Sequence, residues 1–407
     1  MNIAVAQSGG PTCAINASLL GVFRTGIQYT EIDTVYGSLN GIEGLIYNNL
    51  VDLNTVIASD EELELIRQTP STVLGSCRYK LPQPEDDKAV YETITKNLKD
   101  HNIKAFFYIG GNDSMDTVVK LSRYFKNEGE DIKVIGIPKT IDNDLPHTDH
   151  TPGFGSAAKY VATTLQEITR DSSVYSAKSV TIVEIMGRDT GWLTASSVLL
   201  RANSNSAPHL IYLPEKPFSV SKFLDDVVKM QEKYPSVIVA VSEGVSLSSD
   251  EAGEDFTSGK EDIFGHKYLA GVGKALEKIV SREIGCKVRS IELNVMQRCS
   301  SHLSSGNDIL EAENIGAAAV KEMMSGKTGV MMTFERLGNK PYNLRIGCVE
   351  AEKVANHVKY FPDEWIAENN CDVTHSALEY FLPLIQGEPS IRIKNGLPAH
   401  FVLSKEN

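Results

Sequence analysis

Short apolar runs alternate along this chain with glycine- or acid-rich turns and with stretches of helical spacing. Asn2–Gln7 reads as a buried strand, Ser8-Gly9-Gly10-Pro11 as a turn and Ala14–Ile27 as a helix. Thr34–Tyr36 is a short strand, 37–49 a Gly/Asn-rich loop, and Asp60–Gln68 a helix stopped by Pro70. Lys88–His101 has amphipathic helical spacing. Ala105–Ile109 is a strand running into Gly110-Gly111-Asn112-Asp113-Ser114 and a helix over Met115–Phe125. Ile132–Ile137 is a third β-branched strand, and it delivers Pro138-Lys139-Thr140-Ile141-Asp142-Asn143-Asp144.

The same rhythm continues. Phe154–Arg170 is a helix and Ser179–Ile185 a strand, followed by the turn Met186-Gly187-Arg188-Asp189-Thr190-Gly191-Trp192. Leu210–Leu213 and Val237–Val241 are strands flanking a helix at 219–233, and the second strand ends in Ser242-Glu243-Gly244. Leu247–Lys260 is polar and acidic, which predicts mobility. Tyr268–Ile284 is a helix, Arg289–Leu293 a strand, Asp308–Met324 a helix and Gly329–Arg336 a strand. The remainder, from about Pro341, mixes strand signals with prolines and reads as a cap or lid. Such alternation predicts an α/β fold with mainly parallel sheets covered on both faces. The expected divisions are 1–150, 151–300 and a C-terminal segment, 301–407, that completes two similar α/β layers and caps a cleft between them.

Composition narrows the partners. With 407 residues the chain can bury more than one core. Its 40 Lys+Arg against 53 Asp+Glu give a net charge of -13, which argues against nucleic acid or an anionic membrane as the main partner. A few local cations still suffice for an anionic small molecule. The six scattered cysteines form no C-x-x-C pair and read as reduced thiols of a cytoplasmic protein. Residues 1–7 enter a strand directly, with no room for a signal peptide, and no apolar run is long enough to cross a bilayer.

The chemistry concentrates after the strands, where open α/β sheets hold their ligands. Lys139 can meet a polyanion and Asp142 can take a proton, a pairing suited to phosphoryl transfer to an alcohol. The plain alternative is a solvated turn. Two strand–Gly-Gly–helix units, at Gly9-Gly10 and Gly110-Gly111, offer amides and a helix dipole to phosphate.

Taken in order, Ser8-Gly9-Gly10 with Asn16-Ala17, Gly75-Ser76-Cys77-Arg78, Gly110-Gly111 with Ser114, Pro138-x-Thr140-x-Asp142-x-Asp144, Met186-Gly187-Arg188, Glu243-Gly244 and Gln297-Arg298 resemble the phosphofructokinase family. The resemblance spans about three-quarters of the chain. It implies two Rossmann-like three-layer α/β/α domains and a homodimer or homotetramer. It makes Asp142 the general base for the 1-hydroxyl of fructose 6-phosphate, with Thr140 and Asp144 helping to hold sugar and metal-bound phosphate. Met186, Gly187 and Arg188 match the sugar-phosphate turn, and Glu243 the sugar-hydroxyl acceptor. Arg289 and Arg298 match arginines of the 6-phosphate, the first reaching in from a neighbouring subunit. Gly10 and Arg78 match donor-phosphate contacts.

Family members that use ATP have glycine at the positions of Asp113 and Lys139, and those that use pyrophosphate have aspartate and lysine. Asp113 puts a side chain and a negative charge where an α-phosphate would lie, and Lys139 reaches the two phosphates that remain. The implied donor is therefore pyrophosphate, with Mg²⁺ as cofactor. Capping of the following helix is the other reading of Asp113. Asn112 stands where the family's metal-binding aspartate usually is, so Asn112 and Asp144 are the metal candidates, with Asp113 as a substitute. Val295 and Ser179 replace residues common near the sugar phosphate, and His302 is a candidate replacement. An ATP-dependent enzyme, or a non-catalytic subunit that binds sugar phosphate, are the rival readings.

Overall fold

In the computed structural model, residues 1–203, 206–247, 257–261, 267–269 and 271–403 are described, the side chains of 257–261 and 267–269 excepted. Most of the predicted mobile stretch 247–260 lies outside them. The chain divides into two compact units. One contains residues 1–157, 298–359 and 384–407, the other 158–297 and 360–383.

The first unit begins with β1 (Asn2–Gln7), β2 (Val35–Ser38), β3 (Leu50–Asp52), β4 (Ile103–Gly110) and β5 (Lys133–Pro138). The second unit supplies β6 (Ser179–Ile185), β7 (Leu210–Tyr212), β8 (Ser236–Ser242), the antiparallel pair β9 (Thr257–Glu261) and β10 (Lys267–Leu269), and β11 (Lys287–Glu292). The chain then returns to the first unit with β12 (Val330–Asn339) and β13 (Tyr342–Glu350), and a small exposed hairpin, β14 (Ile393–Lys394) and β15 (Leu397–Pro398), follows.

The first sheet runs β13-β12-β5-β4-β1-β2-β3. Its middle strands are parallel, and β3 and β13 add antiparallel edges. Alternate residues of each central strand enter two cores. Ala4, Phe106 and Val134 pack with Tyr91 and Phe125 on one face. Val5, Phe107 and Ile135 pack with Leu19, Phe23 and Ile315 on the other. This double burial is why the strands read as unbroken apolar runs. The second sheet, β11-β6-β8-β7, is all parallel. Its core joins Val180, Ile182 and Val239 to Phe223, Val227 and Leu276. Among the described residues no helix is long and apolar enough to cross a membrane.

Several elements differ from expectation. The stretch 37–49 holds a short helix, Ile42–Ile46, before β3. The segment after Pro341 does carry a strand, as its signals predict: β13 pairs with β12 over nine register positions, because alternation over 342–350 suits an edge strand. The helix expected from Tyr268 begins at Val272, since Lys267–Leu269 pair with β9.

The helix Ile15–Gly26 is buried nearly all round, only Arg24 being partly exposed. Small residues explain how. A Cβ on Gly21 would fall 2.0 Å from Glu313 O, and one on Gly316 would fall 2.2 Å from Ser18 O. The helices Ile15–Gly26 and Gly306–Met324 therefore touch backbone to backbone. That contact holds the helix behind the Gly9-Gly10 turn. Gly316→Ala is expected to lower stability by about 2–3 kcal/mol, read as a drop in the urea midpoint with an unchanged m-value. A wild-type midpoint would show that this seam is not close-packed.

Candidate active site

In the first unit the carboxyl ends of β1, β4 and β5 lie side by side. Backbone bonds tie the turns that follow them: Ser8 N donates to Ile109 O (2.9 Å) and Lys139 N to Gly110 O (3.0 Å). The turn at 75–78 joins them, with Ser76 Oγ donating to Gly9 O (2.7 Å) and Gly9 N to Cys77 O (3.4 Å). A buried amide network supports that loop. Gln7 Nε2 donates to Asn16 Oδ1 (2.8 Å), Asn16 Nδ2 to Thr69 O (2.8 Å), and Leu74 N to Gln7 Oε1 (3.0 Å).

Lys139 stands at the centre, only 2% exposed, with Nζ donating to Gly10 O at 2.6 Å. Burial pulls its pKa down to about 8; Asp142 and Asp144 oppose that pull and Arg298 adds to it. Gly9, at φ +73°, passes so close that a Cβ would lie 3.3 Å from Nζ, and a Cβ on Gly10 would lie 3.2 Å from Arg298 Nη1. So Arg298 sits with Gly10 and Lys139, while its neighbour Gln297 accepts from Met186 N (3.2 Å) in the second unit.

The acid turn is locally ordered. Thr140 Oγ1 donates to Asp142 Oδ2 (3.2 Å) and accepts from Asp142 N (3.0 Å), so Thr140 orients the carboxylate. Asn143, fully buried and at φ +54°, turns the chain between Asp142 and Asp144.

The helix after β4 begins at Asn112, three residues before the expected Met115. Gly111 is its N-cap, with no side-chain cap bond, so Asp113 is not the cap. It lies exposed in the first turn, where its charge suits the helix dipole. Asn112 is engaged at both ends of its amide: Oδ1 accepts from Asn356 N and Nδ2 donates to His357 O (2.5 Å). That leaves it poorly suited to a metal. Among the described residues no three or more His, Cys, Asp or Glu side chains gather to hold an ion. Mg²⁺, however, is commonly held by one or two carboxylates plus substrate phosphate and water. The carboxylate of Asp144, partly exposed in the turn, fits that pattern.

In the second unit, the ends of β6 and β8 form another set. Gly187 N donates to Glu243 Oε1 (3.2 Å), Glu243 N to Ile185 O (2.9 Å), and Ser242 Oγ to Gly187 O (2.5 Å). A Cβ on Gly244 would fall 1.9 Å from Arg188 O, so glycine is required there. Met186, Gly187, Arg188 and Glu243 are thus gathered, with Arg188 exposed. Arg289 is not among them. It lies exposed on edge strand β11 opposite Thr181, roughly 13 Å before the end of β6 at about 3.3 Å per residue. Its guanidinium is 3.8 Å from Asp171. Arg78 is exposed on its turn, and Val295, expected near the sugar phosphate, is also exposed.

A family model described as phosphofructokinase matches residues 2–323. The chain belongs to the phosphofructokinase family. It is 36% identical over 407 residues to a pyrophosphate–fructose 6-phosphate 1-phosphotransferase of Halomonas elongata, covering 99% of this chain and 96% of that one. It is 38% identical over 405 residues to one of Xanthomonas campestris pv. campestris, with 99% and 96% covered. A crystal structure of a pyrophosphate-dependent phosphofructokinase from Nitrosospira multiformis superposes with TM-score 0.87 at 36% identity, covering 98% of this chain and 95% of that one. The phosphofructokinase fold is thus established for the chain.

Sequence reasoning missed three residues next to the site. Lys359 and the adjoining Asn356-His357 bond the acid turn and Asn112, yet they lie over 200 residues from both. No spacing rule connects them. The assembled first-unit turns predict polyanion binding. Inorganic phosphate is expected to raise the unfolding temperature of the wild type, and Lys139→Met to remove most of that rise, measured against chloride at equal ionic strength. An equal rise in the variant would place the anion elsewhere.

Proposed function

We propose that this phosphofructokinase transfers a phosphoryl group reversibly from pyrophosphate to the 1-hydroxyl of D-fructose 6-phosphate, giving fructose 1,6-bisphosphate and phosphate. The observation that carries the reading is the pairing of a buried Lys139, on Gly10 O, with an Asp113 carboxylate in the first turn of the adjoining helix. A helix start that already carries an acid repels the α-phosphate of a nucleotide. A short diphosphate does not need that place. The names of the relatives from Halomonas elongata and Xanthomonas campestris support the same donor.

In this reading Asp142, oriented by Thr140, accepts the proton as the hydroxyl oxygen bonds to phosphorus and the bridging P–O bond breaks. Lys139 faces the charge carried by the departing phosphate, with Arg298, which the resemblance gives to the sugar's 6-phosphate, close beside it, and the Gly9-Gly10 amides and Arg78 hold the donor. Met186, Gly187, Arg188 and Glu243 hold the sugar phosphate, and Arg289 serves the site of a neighbouring copy in a homodimer or homotetramer. When bound, Mg²⁺ supplies charge neutralisation at the phosphate oxygens, with Asp144 as its protein ligand. The enzyme is expected in the cytoplasm.

A coupled aldolase assay with each donor tests the reading. Turnover is expected with pyrophosphate and not with ATP; the opposite pattern overturns the donor. In Asp113→Gly with Lys139→Gly, pyrophosphate turnover is expected to fall by at least about 100-fold. Unchanged turnover would contradict both roles.

The pH profile supplies a second test. Lys139 carries its charge below its pKa of about 8 and loses it above. The value of kcat/KM for pyrophosphate, which reports the free enzyme, is therefore expected to decline as pH rises through that value. Lys139→Arg, whose guanidinium does not titrate in this range, is expected to lack that limb. A limb that persists there belongs to another group.

A further inference from the structure

We propose that Asn356–Lys359 is a strap that fixes the acid turn against the Gly110-Gly111 turn, with Lys359 as a positioning residue for Asp142 and Asp144. The inference rests on the function proposed above. Its first anchor is Asn112, whose amide accepts from Asn356 N and donates to His357 O (2.5 Å). Its second anchor is the acid turn, where Lys359 N donates to Asp144 O (2.8 Å). Lys359 Nζ then donates to Asn143 Oδ1 (3.2 Å), Thr148 O (3.1 Å) and Asp149 O (2.9 Å). One ammonium can donate to all three. Two of them are main-chain carbonyls of the loop beyond Asp144, and the third is the side chain of Asn143, the residue between the two acids.

The strap is itself held upstream. Ala351 N donates to Gly329 O (2.9 Å). Asn356 takes φ +63°, the bend that presents successive backbone groups to one amide. The loop beyond the acid turn is braced as well. His150, 1% exposed, bonds Asp149 through Nδ1 and Glu311 through Nε2, both at 2.8 Å, and Arg336 bonds Asp149 Oδ2. Lys359 thus links this ion network to Asn143 and Asp144, beside the tie that Thr151 Oγ1 makes by donating to Thr140 O (2.8 Å).

A strap of this kind acts on the rate of the chemical step. A carboxylate displaced by about 1 Å loses about 100-fold in rate through geometry, while pockets for the two substrates stay formed. In full-length Lys359→Met, kcat is expected to fall about 100-fold with both KM values within about threefold of wild type. Amide exchange over 141–150 should accelerate while that of β1 stays unchanged. A kcat within threefold of wild type, or unchanged exchange over 141–150, overturns the proposal. If Lys359→Met does not fold, Asn112→Ala decides: exchange over 355–359 should rise and kcat should fall, and unchanged exchange overturns the strap. Asn112→Asp separates strap from metal ligand. A strap predicts slower turnover at every Mg²⁺ concentration, since a carboxylate cannot donate to His357 O. A lower Mg²⁺ requirement with kcat retained overturns it. Should the wild type fail to turn over pyrophosphate and fructose 6-phosphate, the functional reading falls. The exchange measurements, which need no substrate, still decide the strap.

Discussion

A buried ammonium on a glycine carbonyl is the contact around which the first unit is built. Lys139 Nζ reaches Gly10 O from the end of the neighbouring strand system, and little water reaches it. Burying a cation is unfavourable unless acceptors and opposite charge surround it. Here a carbonyl dipole and the acids Asp142 and Asp144 supply both. The geometry allows little else: Gly9 must take a positive φ, and Gly10 must leave room for Arg298. A cation so held is preorganised for phosphate, because no solvent shell has to be rebuilt when charge moves.

The scaffold explains why these groups meet. Parallel strands bring their carboxyl ends to one edge, so three turns from distant parts of the chain become neighbours. Helix packing then holds them. The glycine seam between Ile15–Gly26 and Gly306–Met324 seats the helix behind the first turn, and the Gln7–Asn16 network holds the loop at 69–78 against it. The second unit uses the same device on a smaller sheet, with Glu243 bonding the Gly187 amide and Gly244 passing under Arg188.

Donor choice in the proposed reaction follows from the same economy of charge. Helix starts attract phosphate, and Asp113 fills one with a carboxylate of the protein's own. The attraction that remains is centred on Lys139. Asn112, beside it, is engaged with backbone rather than open to an ion, which is why the metal is proposed for Asp144 and substrate oxygens.

The amino-acid order alone determined the alternation of strand and helix, the placing of Gly9-Gly10, Lys139, Asp142 and Gly187-Arg188 in turns after strands, and the family. It could do so because each of these is local: doubly buried strands read as apolar runs, and the turns need glycine or a short polar side chain at fixed offsets. What lies in pairings between distant segments was not legible. The antiparallel β13, the Gly21–Gly316 seam, the company Arg298 keeps with Gly10, and the hold of Lys359 on residues 143–149 were decided only by tertiary structure. The reason is physical: a lysine's partners are set by which carbonyls the folded backbone turns toward it, and nothing in its own neighbourhood of sequence encodes them.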